Sequence, residues 1–579
     1  MVELRAGGPG AAGIPAPGRP AVEGGAVGML MPDWLARRAQ LTPEGVALIA
    51  DGRRWTFAEL DAQAQALAWQ LAAMGVGPGQ RVAVLLANSP AFVTCVHALP
   101  RLGAVLVPLN TRLAPPELAW QLEDAGARLL VHDADHSEKA QAIAQQVPGI
   151  LRMRLAADQR PALLKGGRRA AADGPQALGA SMAAQGPGPA GAAGAARAAE
   201  AVPRVPEVAA ETEAAAGPVP GDGGPALRDW VDLAAIHSII YTSGTTGRPK
   251  GALLTYGNHW WSAMASCLNL GLVPGDRWLA CLPLFHVGGL SILLRSVIYG
   301  IPVVLHRRFD AAAANRAIDE EGVTIVSLVA VMLSRMLDER GGRRYPAHLR
   351  AVLLGGGPAP RPLLERAVAA GVPVLQTYGL TETASQVATL APEDALRKLG
   401  AAGKPLFPNR IRIVRDGRPA PPGEVGEITV AGPTVTPGYW NRPDATAAAL
   451  ADGWLRTGDM GYMDPEGYLY VVDRREDLII SGGENVYPAE VEAVLMAHPA
   501  VAEAAVVGVP DERWGQVPVA YVALRPGQPC TEAQLVAFCR ERLAGYKVPA
   551  RVTFVPELPK GASGKILRRA LRERAAGPG

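Results

Sequence analysis

The sequence predicts an α/β protein in two unequal parts: a large N-terminal domain of stacked, mostly parallel sheets with helices, and a small α+β domain behind it. Three observations carry this reading. Up to about Lys404, short apolar runs alternate with amphipathic helical segments, the pattern of buried parallel strands covered by helices. From there the texture changes to short strands between Gly/Pro turns, which reads as a small β-barrel-like subdomain. From about Arg474 a compact α+β stretch begins and runs into a basic tail.

In chain order, residues 1–28 are a Gly/Ala/Pro tract without periodicity, expected to be a disordered extension. Thr56-Phe57-Ala58-Glu59 is a capping box that opens an amphipathic helix ending near Gly75. Buried strands are expected at 81–88, 104–109, 236–242, 277–282, 301–305, 324–328, 351–354 and 372–376. Residues 155–227 interrupt this alternation, and their apolar content is mostly Ala, which buries too little area to offset ordering entropy. They read as a low-complexity surface insertion within a large domain at 29–473, with 474–579 as the small domain.

Composition narrows the class. The 579 residues include 66 glycines and 51 prolines, about a fifth of the chain, against a usual share of about 12%. At 49% hydrophobic content the chain is nevertheless not disordered throughout. The net charge of +3 is interspersed, with no basic stripe for nucleic acid. Five cysteines (Cys95, Cys267, Cys281, Cys530 and Cys539) show no CxxC spacing, which argues against a zinc cluster or disulfide framework and fits a reducing compartment. Charges such as Arg295 break the longest apolar runs, so no membrane insertion is expected. No signal pattern opens the chain, and a cytoplasmic enzyme is the expectation.

The strand expected at 236–242 leads into Thr242-Ser243-Gly244-Thr245-Thr246-Gly247-Arg248-Pro249-Lys250-Gly251. Glycines let backbone approach an anion, hydroxyls donate hydrogen bonds, and Lys250 adds positive charge. On composition alone, a flexible turn competes with this reading. A Walker loop needs Gly before its Lys, and Pro249 stands there, so a P-loop NTPase is not expected.

This loop resembles the phosphate-binding signature of the adenylate-forming superfamily, which includes acyl- and aryl-CoA ligases, adenylation domains and luciferases. Further motifs similar to that superfamily follow in order: Tyr378-Gly379-Leu380-Thr381-Glu382-Thr383, Trp454-Leu455-Arg456-Thr457-Gly458-Asp459, Asp473-Arg474-Arg475-Glu476-Asp477 with Ile480-Ser481-Gly482-Gly483-Glu484-Asn485, and Pro559-Lys560-Gly561-Ala562-Ser563-Gly564-Lys565-Ile566. Other stretches, beginning with Tyr256-Gly257-Asn258-His259-Trp260-Trp261-Ser262-Ala263 and including 276–279, 289–300, 354–360, 389–394 and 403–406, are similar to one branch. That branch couples 2-succinylbenzoate to CoA in menaquinone biosynthesis.

The resemblance implies ATP, Mg²⁺ and CoA, and a reaction through an acyl-adenylate. It assigns Lys565 to the α-phosphate and carboxylate, Glu382 to Mg²⁺, and Thr381 to phosphate. It assigns Thr242, Ser243, Gly244, Thr245, Thr246, Gly247 and Lys250 to the phosphates, and Gly355, Gly356, Gly357, Tyr378 and Gly379 to the nucleotide and acyl pocket. Asp459 and Arg474 would hold the ribose, and Glu476 would be the pivot about which a mobile C-terminal domain turns. Arg474 follows Asp473 where the superfamily usually has Gly. Gly482 and Gly483 would border the CoA channel, and His286 would gate the acyl pocket.

The second carboxylate of 2-succinylbenzoate is costly to bury unpaired. Arg295, with Ser291, Ser385 or Gln386, is the candidate partner, while an Arg295 that interrupts a helix face toward solvent is the plain alternative. Trp260 and Trp261 either wall the aromatic ring or pack structurally. Another aryl- or acyl-CoA ligase, or a stand-alone adenylation domain, would share the first step. A homo-oligomer is expected by resemblance.

Overall fold

The computed structural model describes residues 28–156, 212–213, 226–242, 248–356, 359, 361–473, 479–486, 488–559, 566 and 568–575. The expected extension at 1–28 lies outside these except for Gly28, as does most of 155–227. Leu155, placed at the edge of the expected insertion, is fully buried in the core, so the folded chain runs through it.

Two large sheets form the N-terminal domain. One is seven-stranded and parallel apart from the pairing of Ile236–Thr242 with Lys250–Thr255. The other has a parallel half, with Trp278–Ala280, Val303–Leu305, Ile325–Val329, Ala351–Gly355 and Val374–Leu380 as neighbours. Each of the eight expected strands is present, within a few residues at its ends. Helices Phe57–Ala73, Pro90–Leu102 and Val287–Tyr299 share one apolar core with the inner faces of both sheets. Pro90–Leu102 is buried on every side, which its nearly continuous apolar sequence permits. A second core fills the outer face of the larger sheet under Ala311–Glu320, Ala330–Arg340 and Arg361–Ala369.

Local chemistry sets the helix ends. Thr56 Oγ1 accepts from Glu59 N at 3.1 Å, and Glu59 Oε2 accepts from Thr56 N at 2.9 Å, completing the expected capping box.

The barrel-like part is antiparallel and continuous with the larger sheet. Val374–Leu380 pairs with Ser385–Thr389, which pairs with Ala401–Pro405 and through it with Leu469–Asp473. The small domain has its own sheet, built on the long pairing of Val501–Asp511 with Gly515–Leu524, and its own core. Among the described residues no helix is long and apolar enough to cross a membrane.

Candidate active site

A cavity of about 680 Å³ opens where the strand ends of the larger sheet, the phosphate-loop strands and the small domain meet. That is an ordinary size for a small-molecule site. Thr242, Lys250, Gly355, Gly356, Gly379, Thr381, Glu382, Asp459, His286, Ser291, Arg295, Ser385, Gln386, Gly482 and Gly483 all line it. Ser243–Gly247, Gly357, Arg474, Glu476 and Lys565 lie outside the described residues.

Thr242 and Lys250 face each other in register at the ends of two antiparallel strands, so the glycine-rich loop connects a hairpin. Thr242 Oγ1 donates to the Lys250 carbonyl at 3.4 Å. Gly356 closes the strand Ala351–Gly355 with φ +82°, and a Cβ there would stand 3.1 Å from Val329. Glycine keeps this wall thin.

Strand alternation sorts the next motif. Thr377 and Gly379 line the cavity, whereas Tyr378 points to the opposite face and is 5% exposed. Its hydroxyl donates to Asp459 Oδ2 at 2.7 Å. Tyr378 therefore braces the cavity-lining Asp459 through its hydroxyl. After Gly379 a short 3₁₀ turn, Thr381–Thr383, presents Thr381 and Glu382 to the cavity. Thr383 is consumed by the turn, its hydroxyl bonded to Leu380 and Ser385 backbone.

The acyl side lies on helix Val287–Tyr299, where Ser291 and Arg295 are four residues apart on one face. Arg295 is 2% exposed and does not reach solvent. Its Nη2 donates to Ser262 Oγ at 3.1 Å, which in turn donates to the Ala384 carbonyl at 2.6 Å. The guanidinium lies 5.5 Å from the Trp278 ring centroid. Among the described residues Arg295 Nε and Gln386 Nε2 have no hydrogen-bond partner, and burial lowers the arginine pKa. Neither Trp260 nor Trp261 lines the cavity; Trp260 packs on Trp34 at 6.2 Å.

The small domain supplies the remaining wall. Gly482 and Gly483 form the two-residue turn of a hairpin with φ +58° and +84°, a conformation that favours Gly at both positions. The following Glu484 is buried, with Oε2 3.0 Å from His286 Nε2 and Oε1 2.8 Å from Arg112. Burial pushes its carboxyl up, but the charges and hydrogen bond of His286, with Arg112, outweigh this and hold it below the ordinary carboxylate range. Asn110 Nδ2 donates to Tyr546 Oη at 3.0 Å across the same seam. Lys547 is buried there between Glu117 and Glu490.

Arg112, Glu117, Tyr439, Tyr546 and Lys547 were not among the residues the sequence assigned. Lys547 reads locally as one more cation near a basic tail, and only its setting in Gly545-Tyr546-Lys547-Val548-Pro549 marks it out.

The chain belongs to the AMP-binding enzyme family, whose model matches residues 35–440, and the AMP-binding enzyme C-terminal domain matches residues 490–565. Among its relatives, the 2-succinylbenzoate–CoA ligase of Geobacillus kaustophilus is 51% identical over 543 residues, covering 94% of this chain and 97% of that one. A Bacillus cereus 2-succinylbenzoate–CoA ligase is 46% identical, covering 94% of this chain and 98% of its own length. Among solved structures, a double mutant of the Bacillus subtilis o-succinylbenzoate CoA synthetase bound with its product analogue matches with TM-score 0.79 and 44% identity, covering 94% of this chain and 99% of that chain. The same synthetase in complex with its acyl-adenylate intermediate matches with TM-score 0.65 at the same identity and coverage.

Proposed function

We propose that this chain ligates 2-succinylbenzoate to CoA through an acyl-adenylate, giving 2-succinylbenzoyl-CoA, AMP and diphosphate for menaquinone biosynthesis. The observation that carries the substrate is Arg295, a buried guanidinium on the cavity wall whose Nε has no partner among the described residues, as has Gln386 Nε2 on the wall of the same cavity. Buried charge without a partner is costly, and a carboxylate on the substrate would pair it. A fatty acid would leave Arg295 uncompensated. The 51% identity to a 2-succinylbenzoate–CoA ligase over nearly the whole chain points the same way.

In the first step the other carboxylate of the substrate attacks the α-phosphorus of ATP and diphosphate leaves. Attack by an anion on a polyanion requires cations and donors placed where charge accumulates. Lys250, Thr242 and Thr381 face that space from two sides; Lys565 is assigned to the α-phosphate by its motif. Asp459, fixed by Tyr378, would accept from the ribose hydroxyls.

Among the described residues no group of three or more His, Cys, Asp or Glu could cage a metal. Among the carboxylates on the cavity wall, Glu382 stands next to Thr381 in the chain. That set fits Mg²⁺, which is commonly held by one or two carboxylates together with substrate phosphates and water. When bound, Mg²⁺ would neutralise charge on the phosphate oxygens.

In the second step CoA sulfur attacks the acyl carbonyl, the bond to AMP breaks and the thioester forms. The Gly482–Gly483 turn would border the channel for CoA, and the Glu484–His286 contact fixes the ring at the cavity mouth. Two structures of one synthetase match with TM-scores of 0.79 and 0.65, the higher being the product-analogue complex. This supports reading the present domain arrangement as the thioester-forming one. We place the enzyme in the cytoplasm as a homo-oligomer, which cell fractionation and light scattering would check.

The test is diphosphate release and thioester formation with 2-succinylbenzoate, benzoate, 4-coumarate and a fatty acid. Turnover restricted to 2-succinylbenzoate is expected. Equal turnover of the fatty acid would overturn the assignment.

A further inference from the structure

Tyr439 belongs to none of the motifs above, yet its hydroxyl donates to Glu382 Oε1 at 2.9 Å. Its ring centroid stands 5.6 Å from Lys250 Nζ. All three residues line the cavity. One side chain thus touches both the lysine of the phosphate loop and the carboxylate assigned to the metal.

The backbone around Tyr439 is stitched to both neighbours. Leu253 N donates to the Gly438 carbonyl at 2.9 Å, and Trp440 N donates to the Gly251 carbonyl at 2.8 Å, tying the segment to the strand that follows the loop. Thr436 N donates to the Glu382 carbonyl at 2.8 Å, tying it to the 3₁₀ turn. Tyr439 N is itself satisfied by Thr446 Oγ1 at 3.0 Å. The phenol is therefore presented from a fixed backbone, whereas Glu382 is a long side chain with several rotamers. A carboxylate has about four acceptor sites on two oxygens. With Oε1 engaged by the phenol, the acceptor capacity of Oε2 remains for a cation.

We propose that Tyr439 is a positioning residue for adenylation: it sets the rotamer of Glu382 so that the carboxylate meets Mg²⁺ arriving with ATP. This rests on the reading of Glu382 as the Mg²⁺-holding group. Tyr439 exchanges no proton in the reaction and acts through Glu382.

Tyr439→Phe deletes the hydroxyl and keeps the ring beside Lys250. ATP binding to the full-length protein is measured by calorimetry, with EDTA and with saturating Mg²⁺, for wild type, Tyr439→Phe, Glu382→Gln and the double variant. Mg²⁺ is expected to tighten ATP binding in the wild type. In Tyr439→Phe this tightening shrinks about tenfold, the scale of one hydrogen bond to a charged group, while metal-free affinity changes less than about twofold. In the Glu382→Gln background the tyrosine substitution adds nothing, as expected for two side chains acting as one unit. If Glu382→Gln keeps the full Mg²⁺ effect, the reading of Glu382 falls and the proposal with it. If Glu382→Gln loses the effect but Tyr439→Phe keeps it, or the two losses add, the role of Tyr439 is overturned and Glu382 stands. Equal weakening with and without metal, with a lowered melting temperature, would mark a merely structural tyrosine and also overturn the proposal.

Discussion

Lys547 Nζ of the small domain lies 2.8 Å from Glu117 Oε1 of the large domain. The same ammonium is 2.7 Å from Glu490 Oε1 of its own domain, so one cation is shared by two carboxylates across the seam. Burial opposes the lysine charge, but the two carboxylates outweigh it and hold its pKa above the ordinary range. Burial raises the Glu117 carboxyl above its usual value, assisted by the charge of Glu490.

Removing this lysine should therefore disfavour the docked arrangement specifically. Breaking one partner of a buried pair typically costs about 3–5 kcal/mol, because the remaining charge is left uncompensated. With Lys547→Met, thioester formation from pre-formed acyl-adenylate and CoA should fall at least about tenfold, and adenylation much less. Adding Glu117→Gln should restore part of the loss by removing one orphaned carboxylate. Single-turnover measurement of each half-reaction decides; equal losses in both would count against a role in docking.

Arg295→Leu should separate binding from stability. The substrate loses a charge-assisted hydrogen bond, worth about 1.5–3 kcal/mol, so KM for 2-succinylbenzoate should rise about 10- to 100-fold. The fold loses a buried cation with an unpartnered Nε, so the melting temperature should hold or rise. Steady-state kinetics and a thermal melt on one preparation check both signs. An unchanged KM would remove Arg295 from the substrate site.

Acid should unfold the large domain through its buried histidines. His97 and His237 are held down to about 3, both chiefly by burial, and His259 well below its usual value for the same reason. The rings of His237 and His259 are 4.7 Å apart, so protonation of one opposes the other. Above the ordinary histidine pKa of 6.5 both folded and unfolded chains leave these groups neutral, and they contribute nothing. As pH falls from about 6.5 toward 3 the unfolded chain binds protons that the folded chain refuses, and each group then costs about 1.4 kcal/mol per pH unit. Melting temperature should drop steeply between pH 6.5 and 5; a flat profile there would refute the assignment.

Lys565→Ala should lower adenylation about 10²- to 10³-fold, the scale of losing one charge-stabilising group. Thioester formation from supplied acyl-adenylate should be spared. Burst measurements of diphosphate release resolve the first step from the second.

Features governed by neighbours in the chain were legible in the sequence. The Thr56 capping box spans four residues, and the strand at Ile236–Thr242 is one short, largely apolar segment with the glycine-rich stretch beyond it. Resemblance placed Glu382, Asp459 and Gly482 in one cavity, where they lie. The bond from Tyr378 to Asp459 was not legible, because a motif names residues without saying which way a strand faces them. The Lys547–Glu117 pair joins positions 430 apart, and Tyr439 meets Glu382 across 57. No periodicity or local composition encodes such meetings; they follow only from the packing of distant elements.

The hairpin that carries the glycine-rich loop has an electrostatic consequence. Where a phosphate loop runs from strand into helix, the helix end directs about half an elementary charge at the ligand. Here the chain returns from the loop as the strand Lys250–Thr255, so no helix macrodipole immediately follows the loop. The positive field at that end of the cavity therefore owes nothing to a helix directly after the loop, and Lys250 contributes a discrete side-chain charge to it. Discrete charges on side chains can move or be screened, whereas a helix end is fixed to the backbone. The hold on ATP should accordingly be more sensitive to ionic strength than in a strand–loop–helix site of equal affinity.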